Sequence, residues 1–298
     1  MRFDEGADLD TSHIRDLRGS GGGGPLGGRV ALGGGSVSVV GLILYLLVSQ
    51  LGGAGAAPSQ RADNTAIGQS CRSGSDANSK LDCEVTAVTN SLDGYWQDQL
   101  ARSGQTYQRP TTTFFGGGVS TGCGNATSSV GPFYCPDDSS VYLDLGFFQE
   151  LQTRFGAAGG PFARAYVVAH EYGHHVQKLL GTSRRVQAGA TGPTSGSVRL
   201  ELQADCYAGV WAEHATSVPT AGGRPLITDV TQADVDAALD TAGRIGDDYI
   251  QSNLGGGRVD QSQFTHGTST QRERWYSTGY RSGDPARCDT FARGVDLG

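Results

Sequence analysis

A five-residue stretch in the middle of the chain, His170-Glu171-Tyr172-Gly173-His174, limits the possible folds more than any other part of the sequence. It is of the type H-E-x-x-H. On an α-helix, residues four apart lie on one face with their Cβ atoms about 5–6 Å apart. Two imidazoles at that spacing bind one zinc ion, and the glutamate between them reaches a water molecule on the metal. The stretch therefore predicts a zinc site on a helix.

The segment around this stretch is predicted to be a buried helix. Pro161 suits a first helical turn, and an apolar pattern runs from Phe162 to Leu180, with Gly181 directly after it. Apolar residues occupy almost every side of this helix, which indicates burial. Two histidines on a solvated helix face are the alternative. Buried histidines beside a buried glutamate need a partner, however, and a metal ion supplies one.

A catalytic zinc needs a third protein ligand and one open position. The residue six positions after His174 is Leu180, which excludes a third histidine there. The other common solution is a glutamate on a second helix, and Glu201 lies on a second helix predicted over residues 197–215. Asp205 lies four residues further on the same face, and we expect it to accept the second ring N–H of a zinc histidine. By itself, a Glu-x-x-x-Asp pair is usually only a solvated helix face.

An uncharged, apolar segment lies near the N-terminus. At about 1.5 Å per residue, a helix over residues 30–51 spans a bilayer core of roughly 30 Å. We therefore predict a transmembrane helix there, between a disordered cytoplasmic tail over residues 1–29 and a flexible linker over residues 52–80. Arginines are concentrated before the segment, which places the N-terminus in the cytoplasm and the rest of the chain outside.

A signal peptide cleaved near Ala56, which would release the chain by secretion, is the alternative to an anchor. All six cysteines follow the apolar segment, and their even number suggests disulfides in an oxidising compartment. Six cysteines allow fifteen pairings. The bridges that we expect are Cys123–Cys135 in a hairpin, Cys206–Cys288 and, by subtraction, Cys71–Cys83.

Residues 81–298 are predicted to form the folded domain. Thr111–Phe115 and Val141–Leu145 have the character of strands, and long helices dominate the remainder. The net charge of −7 argues against a nucleic-acid binder, which needs a basic surface to displace phosphate counterions. Glycine, at 47 of 298 residues, indicates that linkers and loops take up much of the chain.

Several blocks of the sequence together resemble the bacterial neutral zinc metallopeptidase family. They are HEYGHHVQ at 170–177, ELQADCYAG at 201–209, and segments at 121–124, 131–136, 264–269 and 283–289. The resemblance covers about residues 81–293 and the N-terminal segment. It implies a gluzincin-type zinc hydrolase, with a mainly helical, zincin-like α+β domain and a small β-hairpin or sheet behind one transmembrane helix. It implies no particular substrate.

The same resemblance directs attention to His266, because its block is similar to one that follows the metal helices in membrane-associated gluzincins. Residues 268–271 form a capping box that opens another helix. A histidine in the preceding loop is able to donate to an oxyanion or to bind zinc as a fourth ligand. A loop histidine without a role is the alternative. We expect His175 and His214 to be structural.

The function expected from these residues is zinc-dependent hydrolysis of peptide bonds. His170, His174 and Glu201 would hold Zn²⁺, and Glu171 would take a proton from the zinc-activated water. The expected partners are a peptide or protein substrate and, through the N-terminal helix, the membrane. The alternatives are a non-catalytic, zinc-containing envelope scaffold and a zinc hydrolase of non-peptide amides. A structural zinc usually has four protein ligands, which weighs against the scaffold.

Overall fold

The computed structural model describes residues 1–19, 62–187, 189–220 and 223–298. These residues form nine helices and eight short strands, so the fold is a mixed one in which helices dominate. The helices are α1 Thr65–Ser70, α2 Gly74–Ala77, α3 Leu81–Arg102, α4 Phe147–Thr153, α5 Pro161–Leu179, α6 Gly196–His214, α7 Gln232–Arg244, α8 Asp247–Asn253 and α9 Ser269–Ser282. The strands are β1 Arg2–Phe3, β2 Ile14–Asp16, β3 Thr111–Phe114, β4 Gly118–Thr121, β5 Gly124–Thr127, β6 Phe133–Cys135, β7 Ser140–Leu143 and β8 Ile227–Asp229.

Two of the long helices, α5 and α6, form the centre of the domain. Pro161 opens α5 as its first residue. Ser195 caps α6, because its side chain accepts the N–H of Val198. Both helices are buried on nearly all sides, and α6 packs against α5 and α9. The helices predicted over these two segments are therefore present, with ends shifted by only one residue.

Glycines allow α6 and α9 to cross with their backbones in contact. A Cβ atom added at Gly209 would lie 2.1 Å from the carbonyl oxygen of Tyr276. One added at Gly279 would lie 1.9 Å from the carbonyl oxygen of Cys206. Any side chain at either position would force the helices apart, since interiors are packed too densely to absorb the overlap.

The larger sheet has the strand order β2-β3-β7-β6. The pairs β2–β3 and β3–β7 are parallel, and β7–β6 is antiparallel. Strands β3 and β7 lie where the sequence predicted strands. Two smaller sheets within the described residues pair β1 with β8 and β4 with β5.

The N-terminal residues belong to the folded domain, whereas the sequence predicted a disordered tail over residues 1–29. In β2, Ile14 pairs with Thr112 of β3, and Ile14 is buried in the main core. Arg18 binds Asp16 at 2.7 Å and Asp82 of α3 at 3.0 Å. The domain therefore includes residues well before residue 81.

The predicted single-pass membrane topology is wrong. Residues 30–51 lie outside the described residues, and among the described helices none has the length and apolar character needed to cross a bilayer. Chain segments on either side of this region meet in one place: Asp16 donates its N–H to Asn64 at 2.9 Å and accepts the N–H of Asp63 at 3.3 Å. The N-terminus and the domain therefore lie on one side of any membrane. Cleavage near Ala56 would also remove β1 and β2 from the domain.

The predicted linker over residues 52–80 contains the helices α1 and α2 in its described part. A disulfide from Cys71 to Cys83 ties this region to α3. The structure contains the three disulfides that we expected, Cys71–Cys83, Cys123–Cys135 and Cys206–Cys288. The last of these joins α6 to the C-terminal segment.

Candidate zinc site

The helix pair α5–α6 brings three metal-ligating side chains together. His170 Nε2 lies 3.1 Å from Glu201 Oε2, and His174 Nε2 lies 3.3 Å from Glu201 Oε1. One ligand atom from each residue lies within 4.8 Å of the other two. The three residues that the sequence predicted as ligands therefore meet at one point.

Gly173, inside the H-E-x-x-H stretch, permits this meeting. A Cβ atom at this position would lie 2.9 Å from the Cα of Ala204 and 3.1 Å from its Cβ. Real Cβ atoms essentially never approach another heavy atom that closely, so α5 and α6 reach this separation only with glycine here. The close crossing places Glu201, one helical turn before Ala204, opposite both histidines.

The partners of the histidines determine which ring nitrogen faces Glu201. His170 Nδ1 lies 2.8 Å from a carboxylate oxygen of Asp205, so Nδ1 is the donor. His174 Nδ1 likewise donates to Gln177 Oε1 at 2.9 Å. Each Nε2 then faces a different oxygen of the Glu201 carboxylate, so the three side chains present their donor atoms to one point. Donors at about 2.0–2.1 Å from a tetrahedral zinc are about 3.3 Å apart, so this donor set fits zinc.

Asp205 is fully buried and holds the ring of His170. It also accepts hydrogen bonds from Tyr166 at 2.6 Å and from Arg272 through Nε at 2.9 Å and Nη2 at 3.0 Å. Burial alone would raise the pKa of Asp205. The Arg272 guanidinium and His170 lower the pKa by more than burial raises it, so it lies below its usual value. The ionised carboxylate fixes the orientation and tautomer of His170.

Gln177 has the same relation to His174, and our sequence prediction did not include it. Its Nε2 donates to the carbonyl of Leu200 at 2.7 Å and to Gln203 Oε1 at 3.2 Å. These bonds hold the amide so that its oxygen faces the His174 ring. The position of Gln177, three residues after His174 on a predicted helix, was a usable signal for this contact.

Replacing Gln177 with leucine should weaken zinc binding by about 10–100-fold, because the His174 ring loses the acceptor that orients it. Gln187→Leu makes the same chemical change at an exposed residue, and its zinc affinity should equal that of the parent. Competition with a chromogenic zinc chelator measures both. A Gln177→Leu protein with the parent's zinc affinity would show that the bond to His174 is incidental.

Glu171 is buried beside the three donors and lines a cavity together with His170, Glu201, His266 and Arg272. Burial raises the pKa of Glu171 above its usual range, although His170 opposes the change. A carboxylate with a raised pKa accepts a proton and gives it up again more readily near neutral pH. Glu171 therefore has the position and the environment of a general base.

His266 lies on the wall of this cavity and is held there by Asp247, the first residue of α8. Asp247 Oδ2 accepts the backbone N–H groups of Thr265, His266 and Gly267 at 2.7, 2.6 and 3.0 Å. Its other oxygen lies 3.1 Å from His266 Nδ1. One carboxylate thus fixes both the loop and the ring.

The other two histidines weighed in the sequence make structural contacts. His175 Nε2 donates to the carbonyl of Gln108 at 2.6 Å, and its Nδ1 accepts from Tyr134 at 2.9 Å. Burial lowers the pKa of His175 to about 4, so the ring is neutral. His214 Nε2 donates to the carbonyl of Gly283 at 2.9 Å.

The two crossed helices thus carry three donors that could hold a zinc ion, with a buried glutamate beside them. The fold and this donor group define the class, a mixed, mainly helical protein with a candidate zinc site. The chain belongs to the family described as "Putative neutral zinc metallopeptidase", whose model matches residues 1–291.

Two bacterial proteins illustrate the similarity of the chain to known sequences. The chain is 50% identical over 229 residues to the Mycobacterium tuberculosis H37Rv protein Rv2575. Those 229 residues are 76% of this chain and 76% of that protein. The chain is 39% identical over 294 residues to the Escherichia coli K12 protein YpfJ, or 96% of this chain and 98% of that protein. Both names describe uncharacterized proteins, so they supply no activity. No solved structure matches the chain.

Proposed function

We propose that this protein is a zinc-dependent metallopeptidase that hydrolyses peptide bonds. One observation carries the proposal: two ring nitrogens and a carboxylate face each other at 3.1 and 3.3 Å, beside a buried glutamate on a cavity wall. His170, His174 and Glu201 would hold the metal. Zinc bound there supplies a Lewis acid and an activated water.

The remaining residues of the site have complementary tasks. Glu171 accepts a proton from the attacking water and passes it to the leaving amine. His266 donates to the carbonyl oxygen of the substrate as negative charge develops on it. Asp205 and Gln177 keep the two ligand histidines in the orientation that leaves each Nε2 facing Glu201.

Two observations weigh against a closed structural zinc. The only grouping around the H-E-x-x-H helix among the described residues contains three donors, whereas a structural zinc usually has four. His266 does not join that group, which supports a role as a donor over a role as a fourth ligand. A buried carboxylate such as Glu171 also has no task in a closed site.

The function is tested with the full-length, zinc-loaded chain against a peptide library and a panel of non-peptide amides, each with and without a chelator. New amino termini are detected by mass spectrometry. Chelator-sensitive cleavage of library peptides is the expected result. Cleavage of the non-peptide amides alone would replace the peptidase with an amidase. Stoichiometric zinc without any cleavage would favour the scaffold.

His266→Ala should slow peptide hydrolysis by roughly 10²–10³-fold while zinc is retained, because an oxyanion donor acts only as charge develops on the substrate. His214→Ala removes a histidine outside the cavity, so its turnover should match the parent. Initial rates and zinc content are measured together. A faster His266→Ala enzyme would identify His266 as a fourth ligand that must leave. An unchanged rate would remove His266 from the mechanism.

A further inference from the structure

The cavity beside the three metal donors has an apolar wall for which the proposed mechanism has no use. Its side chains come from five separate parts of the fold: the loop before β6, the α4 region, α5, the C-terminal end of α7, and α8. They are Val130, Phe147, Phe155, Val167, Ile245 and Ile250. Phe147, Ile245 and Ile250 are only partly buried, although they pack on the main core. Apolar surface is therefore left exposed toward the site.

The charged groups of this cavity are already engaged. Arg272 is the cation on its wall, and its guanidinium is bound by Asp205 and by the carbonyl of Ile245 at 3.2 Å. Glu201 is committed to the metal group, and Glu171 to proton transfer. A charged substrate side chain entering here would lose its hydration without gaining a partner, whereas an apolar one would gain from burial.

The wall is shaped by backbone as well as side chains. Gly131 has a φ of +80°, and a Cβ atom there would lie 3.2 Å from Cε2 of Phe147. Its lack of a side chain allows the Phe147 ring to cover the loop before β6. The rings of Phe147 and Phe155 meet edge to face, 6.3 Å apart. The pocket volume of about 70 Å³ suits one side chain, since pockets for whole ligands are several times larger.

We propose that this apolar pocket binds the side chain of a substrate residue directly beside the scissile bond. The pocket selects leucine, methionine or phenylalanine over small or charged residues. The inference rests on the proposed peptidase function, because the pocket opens onto Glu171 and Glu201. Burial of one such side chain should raise kcat/KM by about tenfold to a hundredfold over alanine at the same position.

Peptides that differ only at the two residues flanking the scissile bond provide the first test. At one of these positions the parent enzyme should have a kcat/KM about tenfold to a hundredfold higher for leucine than for alanine or lysine. Ile250→Glu adds a carboxylate to the wall and should shift the preference from leucine toward lysine by at least about tenfold. Ser252→Glu makes the matched change at an exposed position of α8 and should keep the parent's preference. Unchanged preference in Ile250→Glu would overturn the assignment.

A binding measurement separates this inference from the peptidase function. Two hydroxamic acids, one with an isobutyl side chain and one with hydrogen in its place, are titrated into the zinc-loaded protein by calorimetry. The isobutyl compound should bind at least about tenfold more tightly, and Ile250→Glu should abolish the difference. Equal affinities of the two compounds for the parent would overturn the assignment of the pocket as a site for an apolar side chain. A clear preference without cleavage of any peptide would overturn the peptidase function alone.

Discussion

Glu171→Gln should keep one zinc ion per chain and hydrolyse peptides at least about a hundredfold more slowly than the parent. Glutamine preserves the shape of the side chain but is a far weaker proton acceptor than a carboxylate. Zinc should remain because Glu171 is not one of the three grouped donors. Metal content and initial rate are measured on the same purified sample.

The matched control for this change is Glu213→Gln, at the far end of α6, where Glu213 is exposed beside His214. It replaces a glutamate that is not part of the cavity, so its rate should equal that of the parent. A Glu171→Gln enzyme as fast as the parent would show that another group is the base. Loss of zinc from that variant would instead make Glu171 a ligand.

Arg272→Met should lower the free energy of unfolding by about 3–5 kcal/mol, because it removes one partner of a buried ion pair. The guanidinium of Arg272 makes two of the hydrogen bonds that Asp205 receives, and both residues are almost completely buried. Methionine fills part of the space but leaves the carboxylate without its cation. Urea denaturation of the zinc-free protein measures the change without a contribution from metal binding.

A control for Arg272→Met lies on the same helix, α9. Arg274 lies two residues further along α9 and pairs with Asp296 at 3.0 Å, where both side chains are exposed. Arg274→Met should therefore change the free energy of unfolding by less than about 1 kcal/mol. Equal destabilisation by the two variants would contradict the central structural position given to the Arg272–Asp205 pair.

The metal donors were predictable because each lies on a helix whose period and ends are visible in the sequence. His170 and His174 are four apart, as are Glu201 and Asp205, so helical geometry alone places each pair on one face. The proline at residue 161 marked the start of the first helix. The meeting of the two faces depends on tertiary packing at Gly173, which no local pattern reveals.

Arg272 and Asp247 were not predicted, because packing between distant elements brings them to the site. Arg272 directly follows the capping box of α9, where a charged residue is ordinarily exposed to solvent. Its burial follows from the close crossing of α6 and α9 at Gly209 and Gly279. Asp247 starts a short helix, and its link to His266 arises only when two loops meet.

The N-terminal strands were missed for a related reason. β1 and β2 are two and three residues long, too short to show the alternation that predicts a strand. Their partners, β8 and β3, lie far away in the sequence. The glycine-rich composition that follows them predicts disorder for the whole segment. Short strands that pair with distant parts of the chain are determined by tertiary packing against the core, so a local sequence pattern does not predict them.

The most direct test of the zinc peptidase follows metal content and peptide cleavage in one sample while zinc is removed by dialysis against a chelator and then returned. We expect the cleavage rate to fall and recover in proportion to bound zinc, with a plateau at one ion per chain. His170→Ala should neither bind stoichiometric zinc nor recover. Cleavage that persists in zinc-free protein, or full zinc occupancy of His170→Ala, would contradict the site and the mechanism proposed for it.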